Sequence, residues 1–139
     1  MGVVCIGGKS VLINRLAAKT FARKIQKVVM EVKFSDFKIQ NIVASYATGY
    51  PIDINMFYVA NRVRCKFEQE NFPGLKLHLS SQAASLNYNG NYNSSKSTIS
   101  KQTAIIFYSG KFILTGFKSE QDIFDQKDYI KRLLLRFKK

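Results

Sequence analysis

The residues most suggestive of chemistry form a glycine-rich stretch near the start of the chain, ending in Gly8, Lys9 and Ser10. In a phosphate-binding loop, four residues separate the first glycine from the second, so that backbone N–H groups can cradle a nucleotide phosphate. Here five residues separate Gly2 from Gly8, and no strand ending in Asp is available to hold magnesium. The spacing argues against nucleotide binding and favours an ordinary strand-to-helix turn.

Thiol and imidazole groups are scarce. The sequence has two cysteines, Cys5 and Cys65, and one histidine, His78. Two thiols are too few for a disulfide framework, and they lack the companion ligands of a zinc site. One histidine cannot supply both a catalytic triad and a metal site. We therefore expect reduced thiols, no metal, no cofactor and no enzymatic activity.

The charge balance points to a polyanionic partner. Lys and Arg number 22 against 9 Asp and Glu, giving a formal charge of +13, yet 46% of the residues are hydrophobic. Disordered chains combine high net charge with few apolar residues, so this composition indicates a globular domain. Its surplus of cations suits nucleic acid or an acidic membrane face. The longest apolar runs, residues 104–108 and 56–60, are far shorter than the ~20 residues of a membrane-spanning helix.

Hydrophobic periodicity predicts an α+β arrangement, in which period-two runs give strands and three-to-four-residue spacing gives helices. Ser10 suits the N-cap of the first helix. Residues 80–102, nearly half of them Ser or Asn, predict a flexible insert between two strands. The predicted elements are a strand over 3–6, a basic helix over 12–28, a strand over 33–45, a short helix over 53–60, strands over 62–67, from Leu75, over 103–108 and over 112–115, and a helix over 121–137.

The chain contains an internal repeat. Residues 4–28 match residues 113–137 at a constant offset of 109, so that Gly7 aligns with Gly116 and Ser10 with Ser119. Each copy predicts a strand, a turn and a basic helix. The repeat predicts that residues 1–30 are the end of one structural unit and residues 31–139 a whole second unit.

Two predicted strands are apolar on both faces. Ile105, Phe107 and Ile113 share one face, and the opposite face carries Ala104, Ile106, Phe112 and Leu114. Either the sheet is sandwiched within the protein, or one apolar face meets a partner of low polarity, such as the minor groove of DNA. Arg62, Arg64 and Lys66 on a neighbouring strand fit phosphate contacts and, equally, a solvated edge that discourages strand pairing.

Four segments in order resemble the second repeat of the TATA-box-binding protein family: residues 36–43 (DFKIQNIV), 72–75 (FPGL), 105–111 (IIFYSGK) and 114–116 (LTG). Residues 4–31 resemble the last strand, long helix and linker of that family's first repeat. The resemblance implies an α+β half-saddle, a curved antiparallel five-stranded sheet with helices on its convex face. It also implies a concave face that sits in the minor groove of TATA-type promoter DNA and bends it with inserted phenylalanines.

The resemblance assigns roles to individual residues. Phe72 and Phe107 are the wedge pair, although spacing alone makes Phe107 an ordinary core residue. Asn41 and Thr115 donate hydrogen bonds to bases, and Val4 and Ile6 are the first-repeat equivalents of Ile113 and Thr115. Ile6 stands where the family has a threonine. The implied DNA-binding set is Asn41, Val43, Phe72, Pro73, Ile105, Phe107, Ser109, Lys111, Ile113 and Thr115, with Val4 and Ile6.

Partner surfaces follow from the same resemblance. Glu68 and Glu70 resemble the acidic stirrup that binds transcription factor IIB, and Arg15, Lys19 and Arg23 lie on a helix resembling the convex surface bound by factor IIA and other regulators. A solvated helix face would have the same composition. The implied function is a nuclear general transcription initiation factor. The alternatives are a protein-interaction scaffold of the same fold without DNA bending, and a basic domain that binds acidic membranes.

The predicted strand over residues 3–6 lacks the neighbouring strands that its copy in the second unit has. We therefore expect the chain either to self-associate as a homodimer through exposed strand edges or to be a piece of a longer protein.

Overall fold

Five strands form one antiparallel sheet: β1 (Ile42–Ala47), β2 (Cys65–Lys66), β3 (Leu75–His78), β4 (Thr103–Ile106) and β5 (Lys111–Phe117). Their order across the sheet is β1-β5-β4-β3-β2. Three helices accompany them: α1 (Val11–Gln26), α2 (Ile54–Ala60) and α3 (Glu120–Leu135). The computed structural model describes residues 2–79 and 102–139. It divides the chain into two units, Met1–Gln40 and Asn41–Lys139.

The register of the sheet places small and large apolar residues in rows on one face. Ala44 lies opposite Leu114, Leu114 opposite Ala104, and Ala104 opposite Leu77. Ile54 and Phe57 of α2 and three residues of α3 pack onto this face. Burying one such side chain contributes ~1.5–3 kcal/mol, so this layer holds the unit Asn41–Lys139 together. The buried residues are Ile52, Ile54, Phe57, Leu75, Leu77, Leu79, Ala104, Ile106, Phe112, Leu114, Phe117, Ile123, Ile130 and Leu134.

The two copies of the repeat share local geometry. Gly7 and Gly116 have φ angles of 84° and 88°, a left-handed conformation that costs glycine little. Ser10 and Ser119 both occupy N-cap positions, and each following helix has 16 residues. Ser10 Oγ accepts a hydrogen bond from the N–H of Ile13 at 3.2 Å, as the capping prediction requires. The copies differ in burial, because α3 buries three residues and α1 buries none.

Most predicted elements are confirmed, including the α+β sheet, all three helices and the hairpin between β4 and β5. That hairpin closes through the N–H of Phe107, which donates to the carbonyl of Lys111 at 2.9 Å. Gly110 supplies the positive φ, 82°, that its turn requires. Apart from Gln102, whose carbonyl accepts from the N–H of Leu79, the predicted insert over 80–102 lies outside the described residues.

Three strand predictions are wrong in whole or in part. Residues 3–6 form no strand, since no described strand pairs with them to satisfy their backbone groups. The strand predicted over 33–45 begins only at Ile42, after Asp36 has broken the extended backbone with a φ of 41°.

The third correction concerns residues 62–67. Arg62–Arg64 form a 3-10 turn, and only Cys65–Lys66 belong to the sheet. The N–H of Arg64 donates to the carbonyl of Asn61 at 3.0 Å, and its guanidinium donates to the Asn61 side chain at 3.3 Å. These bonds continue the turn at the end of α2 and outweigh the period-two pattern.

Candidate nucleic-acid interface

The face of the sheet opposite the core is apolar and open. Ser45 lies opposite Ile113, Ile113 opposite Ile105, and Ile105 opposite Lys76, so one row crosses four strands. The two isoleucines are half-buried, whereas the next residues along each strand are fully buried in the core. Helices α2 and α3 pack on the core side. Of the two arrangements left open by the sequence, the unit Asn41–Lys139 therefore shows the bare apolar face.

Phe72 and Phe107 meet at one end of this face. Phe72 precedes β3, Phe107 follows β4, and their ring centroids lie 6.0 Å apart in an edge-on arrangement at 62°. Phe72 is 37% exposed and Phe107 is half-buried, so neither belongs to the core. Gly74 lies beneath the pair. A Cβ atom at Gly74 would lie 2.5 Å from Phe72 Cε1 and 3.1 Å from Phe107 Cε1.

A lysine accompanies the two rings. Lys76 Nζ lies 5.5 Å from the centroid of the Phe72 ring, within the distance at which a cation is attracted to an aromatic face. Lys76 is exposed, and it alternates with the buried Leu75 and Leu77 along β3. Neither the sequence pattern nor the resemblance gives Lys76 a role. The period-two pattern of β3 placed it on the open face, but its position over Phe72 depends on the tertiary fold.

Asn41 and Thr115 come together at the other end of β5. Asn41 Oδ1 accepts a hydrogen bond from the N–H of Gly116 at 2.9 Å, which fixes the orientation of the amide. Asn41 Nδ2 then donates to Thr115 Oγ1 at 3.5 Å. Since the amide oxygen accepts from the backbone and one N–H is directed to Thr115, the group that the exposed Asn41 leaves available is its second N–H, a hydrogen-bond donor.

The remaining sheet residues of the predicted set surround these two clusters. Val43 is 60% exposed on β1, and Pro73, Ser109 and Lys111 are exposed. The face is concave between β1 and the β4–β5 turn, where Ser45, Phe107 and Lys111 line a groove. The structure thus brings ten of the predicted residues to one unit: Asn41, Val43, Phe72, Pro73, Ile105, Phe107, Ser109, Lys111, Ile113 and Thr115.

Val4 and Ile6 belong to the unit Met1–Gln40. They are 76% and 87% exposed and lie outside any strand. On α1 of that unit, Arg15, Lys19 and Arg23 are all exposed. Lys19 Nζ lies 5.9 Å from the centroid of the Phe34 ring. Exposed cations on the helix are compatible with both a partner surface and a solvated face.

The loop between β2 and β3 carries Glu68 and Glu70, both exposed. Lys66 Nζ lies 3.0 Å from Glu68 Oε1, and Asn71 Nδ2 donates to Glu68 Oε2 at 3.4 Å. Hydrogen bonds from Lys66 and then Asn71 hold the pKa of the Glu68 carboxyl below its usual value. Glu68 therefore stays ionised in mildly acidic solution, and the loop keeps its negative charge.

Within the described residues, neither nucleophilic chemistry at Cys65 nor metal binding is supported. Burial raises the pKa of the Cys65 thiol to about 11, against a smaller lowering effect of Arg64, so the thiol is protonated and a poor nucleophile. Within residues 2–79 and 102–139, no three His, Cys, Asp or Glu side chains are grouped as metal ligands would be. None of the described helices is both long and apolar enough to cross a membrane.

Residues 36–137 match the protein-family model described as "Transcription factor TFIID (or TATA-binding protein, TBP)". The chain is similar to the TATA-box-binding proteins of Acanthamoeba castellanii, 36% identical, and Drosophila melanogaster, 37% identical. Each alignment spans 137 residues and 99% of this chain. It spans 46% of the Acanthamoeba protein and 34% of the Drosophila protein, so the chain covers less than half of either relative.

A solved structure gives the same result. The chain is similar to the Methanococcus jannaschii TBP with a TM-score of 0.72 and 25% sequence identity, covering 94% of this chain and 64% of that one. The shared fold, the matched family model and the relatives agree with the resemblance of the four segments. This chain belongs to the TATA-binding protein family.

Proposed function

We propose that this chain binds the minor groove of TATA-type promoter DNA through the open face of its sheet and bends the duplex by inserting Phe72 and Phe107. The observation that carries the proposal is the position of these two rings, side by side outside the core. Unstacking a base step costs a few kcal/mol, which only a large contact area can offset. The half-buried Ile105 and Ile113 beside the rings supply apolar area for contact with sugars.

Polar and charged groups at the two ends of the face complement this apolar centre. The N–H of Asn41 that is not directed to Thr115 suits the minor-groove acceptors, which at A·T pairs are N3 and O2 with no competing donor. Lys76 and Lys111 are exposed on the same face, where phosphates line the groove. The surplus of 22 cationic over 9 acidic side chains adds attraction that is independent of sequence.

Proteins of this family are transcription factors and not enzymes, which confirms the expectation of a non-enzymatic chain. We propose a nuclear role in transcription initiation, in which the exposed Glu68 and Glu70 contact a IIB-like factor. Arg15, Lys19 and Arg23 on α1 are proposed to contact a IIA-like factor or another regulator. The separation of acidic and basic residues between two elements supports two different partners.

Binding and bending of a TATA-containing duplex, compared with a shuffled duplex of equal length, test the proposal. Affinity is measured by fluorescence anisotropy, and bending by energy transfer between dyes at the duplex ends. We expect preference for the TATA duplex together with a shorter distance between the ends. Replacing Phe72 and Phe107 together by Ala should abolish bending while far-UV circular dichroism stays unchanged.

Phe124→Ala is a matched control, because Phe124 is 51% exposed and lies on α3 instead of the sheet. It should bind and bend like the parent chain. Equal affinity for both duplexes, without bending, would contradict the proposal and favour the scaffold of the same fold. Unfolding of the double variant would mean that the rings support the core.

A further inference from the structure

Two lysines lie directly opposite each other at the Phe72 end of the open face. Lys66 of β2 pairs with Lys76 of β3 in the antiparallel register, and both side chains are exposed. Directly opposite residues of a sheet share one face, with Cβ atoms about 4.5–5.5 Å apart. Cys65, the other residue of β2, packs against the buried cluster, so Lys66 lies on the open face beside Lys76.

This pairing is electrostatically unfavourable in the free chain. Like charges directly opposite each other destabilise a sheet, and β2 has only two residues to hold its register. A sequence that breaks a local rule of this kind typically does so at a functional site. A single anion between the two ammonium groups would convert the repulsion into attraction.

An intrachain carboxylate already takes part of this position. Lys66 Nζ lies 3.0 Å from Glu68 Oε1. Hydrogen bonds from Lys66 and Asn71 have the largest effect in lowering the pKa of Glu68, and the charge of Lys76 lowers that pKa further. Both lysines are therefore close enough to act on one anionic group.

The structure also separates the three cations that the sequence left open as phosphate contacts. The guanidinium of Arg64 donates to Tyr129 Oη at 3.4 Å, and Arg62 and Arg64 lie in the turn before β2. Of the three, Lys66 alone belongs to a strand of the sheet. Its partner on the open face is Lys76, which adds a second cation at the same place.

We propose that Lys66 and Lys76 together hold one phosphate of the bound DNA, and that Glu68 occupies part of this phosphate site in the free chain. The inference rests on the proposed function for the position of the duplex on the open face. When a phosphate arrives, Lys66 exchanges the carboxylate for it. The ammonium of Lys76 moves to the same phosphate from its place 5.5 Å from the centroid of the Phe72 ring. A contact to the DNA backbone is the same for every base sequence.

The salt dependence of DNA affinity measures this site, because each phosphate contact adds about 0.9 to the slope with which log affinity falls against log salt concentration. Lys66→Met and Lys76→Met keep an apolar stem and remove the charge. The variant that carries both changes should lose about 1 unit of slope and not 2, since the two lysines serve one phosphate. Its affinity for the TATA and the shuffled duplex should fall by about fivefold to tenfold at ~0.1 M salt and by little at ~1 M.

Glu68→Gln tests the carboxylate. The variant should bind both duplexes about twofold to fivefold more tightly, a modest gain because an exposed ion pair is weak. Glu70→Gln is the matched control, since Glu70 is exposed in the same loop and forms no ion pair within residues 2–79 and 102–139. It removes the same charge and should give a smaller gain. In the Lys66→Met background, Glu68→Gln should gain no more than Glu70→Gln does.

Two lysine variants separate a phosphate contact from a structural role. Lys76→Arg keeps a cation and should keep the parent slope. Lys131→Met removes a lysine that is exposed on α3, on the core side of the sheet, and should also keep the slope. Thermal unfolding of Lys76→Met should show no loss of stability, because the change relieves the repulsion across the two strands.

Several outcomes overturn the proposal. One is a double lysine variant that keeps the parent slope or loses about two units of it. Another is a Lys76→Met variant whose affinity falls equally at every salt concentration with reduced bending, because Lys76 would then only position the Phe72 ring. A gain from Glu68→Gln no larger than the gain from Glu70→Gln also overturns it.

The result can be told apart from that of the proposed function. A parent chain without TATA preference or bending overturns the proposed function, whereas the slopes of the lysine variants on the shuffled duplex still decide the phosphate site. A parent chain that bends the TATA duplex, together with a double lysine variant of unchanged slope, leaves the proposed function standing and overturns the phosphate site.

Discussion

Replacing Gly74 by Ala tests whether the fold tunes the position of the two phenylalanine rings. The new Cβ atom would lie 2.5 Å from Phe72 Cε1, 2.8 Å from Ile105 Cγ2 and 3.1 Å from Phe107 Cε1. Carbon atoms pack best at about 3.5–4.0 Å, so the Phe72 ring must move by about 1 Å. Gly74 does not have a positive φ, so the change acts through the rings and not through backbone strain.

The size of the effect follows from the exposure of the rings. Overpacking costs ~1–3 kcal/mol, and the lower end applies because Phe72 is 37% exposed and can swing outward. If DNA binding requires the original ring position, the variant must move its rings back and regain ~1–2 kcal/mol of this strain when it binds. That free energy corresponds to an affinity loss of about fivefold to thirtyfold. We expect bending to fall with it.

The assay pairs DNA affinity and bending with a thermal unfolding curve. Gly49→Ala is the control, since Gly49 has a φ of 87° but no atom within 4 Å of a new Cβ. It should lower stability by ~1 kcal/mol through backbone strain and leave DNA affinity unchanged. If Gly74→Ala binds and bends like the parent, or if Gly49→Ala loses affinity equally, ring placement does not control binding.

Three further predictions concern single side chains. Asn41→Asp keeps the acceptor for the N–H of Gly116, so thermal stability should change little, whereas DNA affinity should fall because a donor becomes an anion near phosphates; equal affinity would argue against the assigned role. Phe112→Ala empties a fully buried site and should cost ~3–5 kcal/mol in urea unfolding; a loss below ~1 kcal/mol would contradict the described core. The lowered pKa of Glu68 means that its ion pair with Lys66 persists at and above the usual carboxyl pKa and is lost as pH falls through the lowered value. A carboxyl titration by NMR should show this, Lys66→Met should move the pKa back up, and an unchanged value in that variant would exclude Lys66 as the cause.

The strands were predictable from the sequence wherever a pattern of neighbouring residues determines them. Alternation of buried and open residues marked β3, β4 and β5, and Gly110 marked the hairpin turn. Residues 62–64 have the same alternation but form a turn, because Asn61 and the side chain of Tyr129 hold Arg64. Asn61 is a local partner, but Tyr129 lies 65 residues away along the chain, so the alternation alone could not distinguish the two outcomes.

The residues proposed for the candidate site came from the resemblance, whereas their contacts came only from the fold. The resemblance named Phe72, Phe107 and Asn41, whereas no sequence pattern gives the edge-on meeting of the two rings. The bond from the N–H of Gly116 to Asn41 depends on the extra residue in β5. Lys76 was missed because cations at alternate positions of a strand are usually solvated, and only the fold sets it over Phe72.

The open face combines two requirements that oppose each other. The apolar surface must remain exposed to water in the free protein, yet it must release that water when a partner binds. Ile105 and Ile113 meet both requirements, because neighbouring strands half-cover them and so limit the apolar area left in water. Cations and a donor amide lie at the ends of the same face. They attract a polyanion without interrupting the apolar centre of the face. A polyanion with an apolar groove, such as a DNA duplex, satisfies both parts at once, whereas an acidic membrane surface would use only the charges.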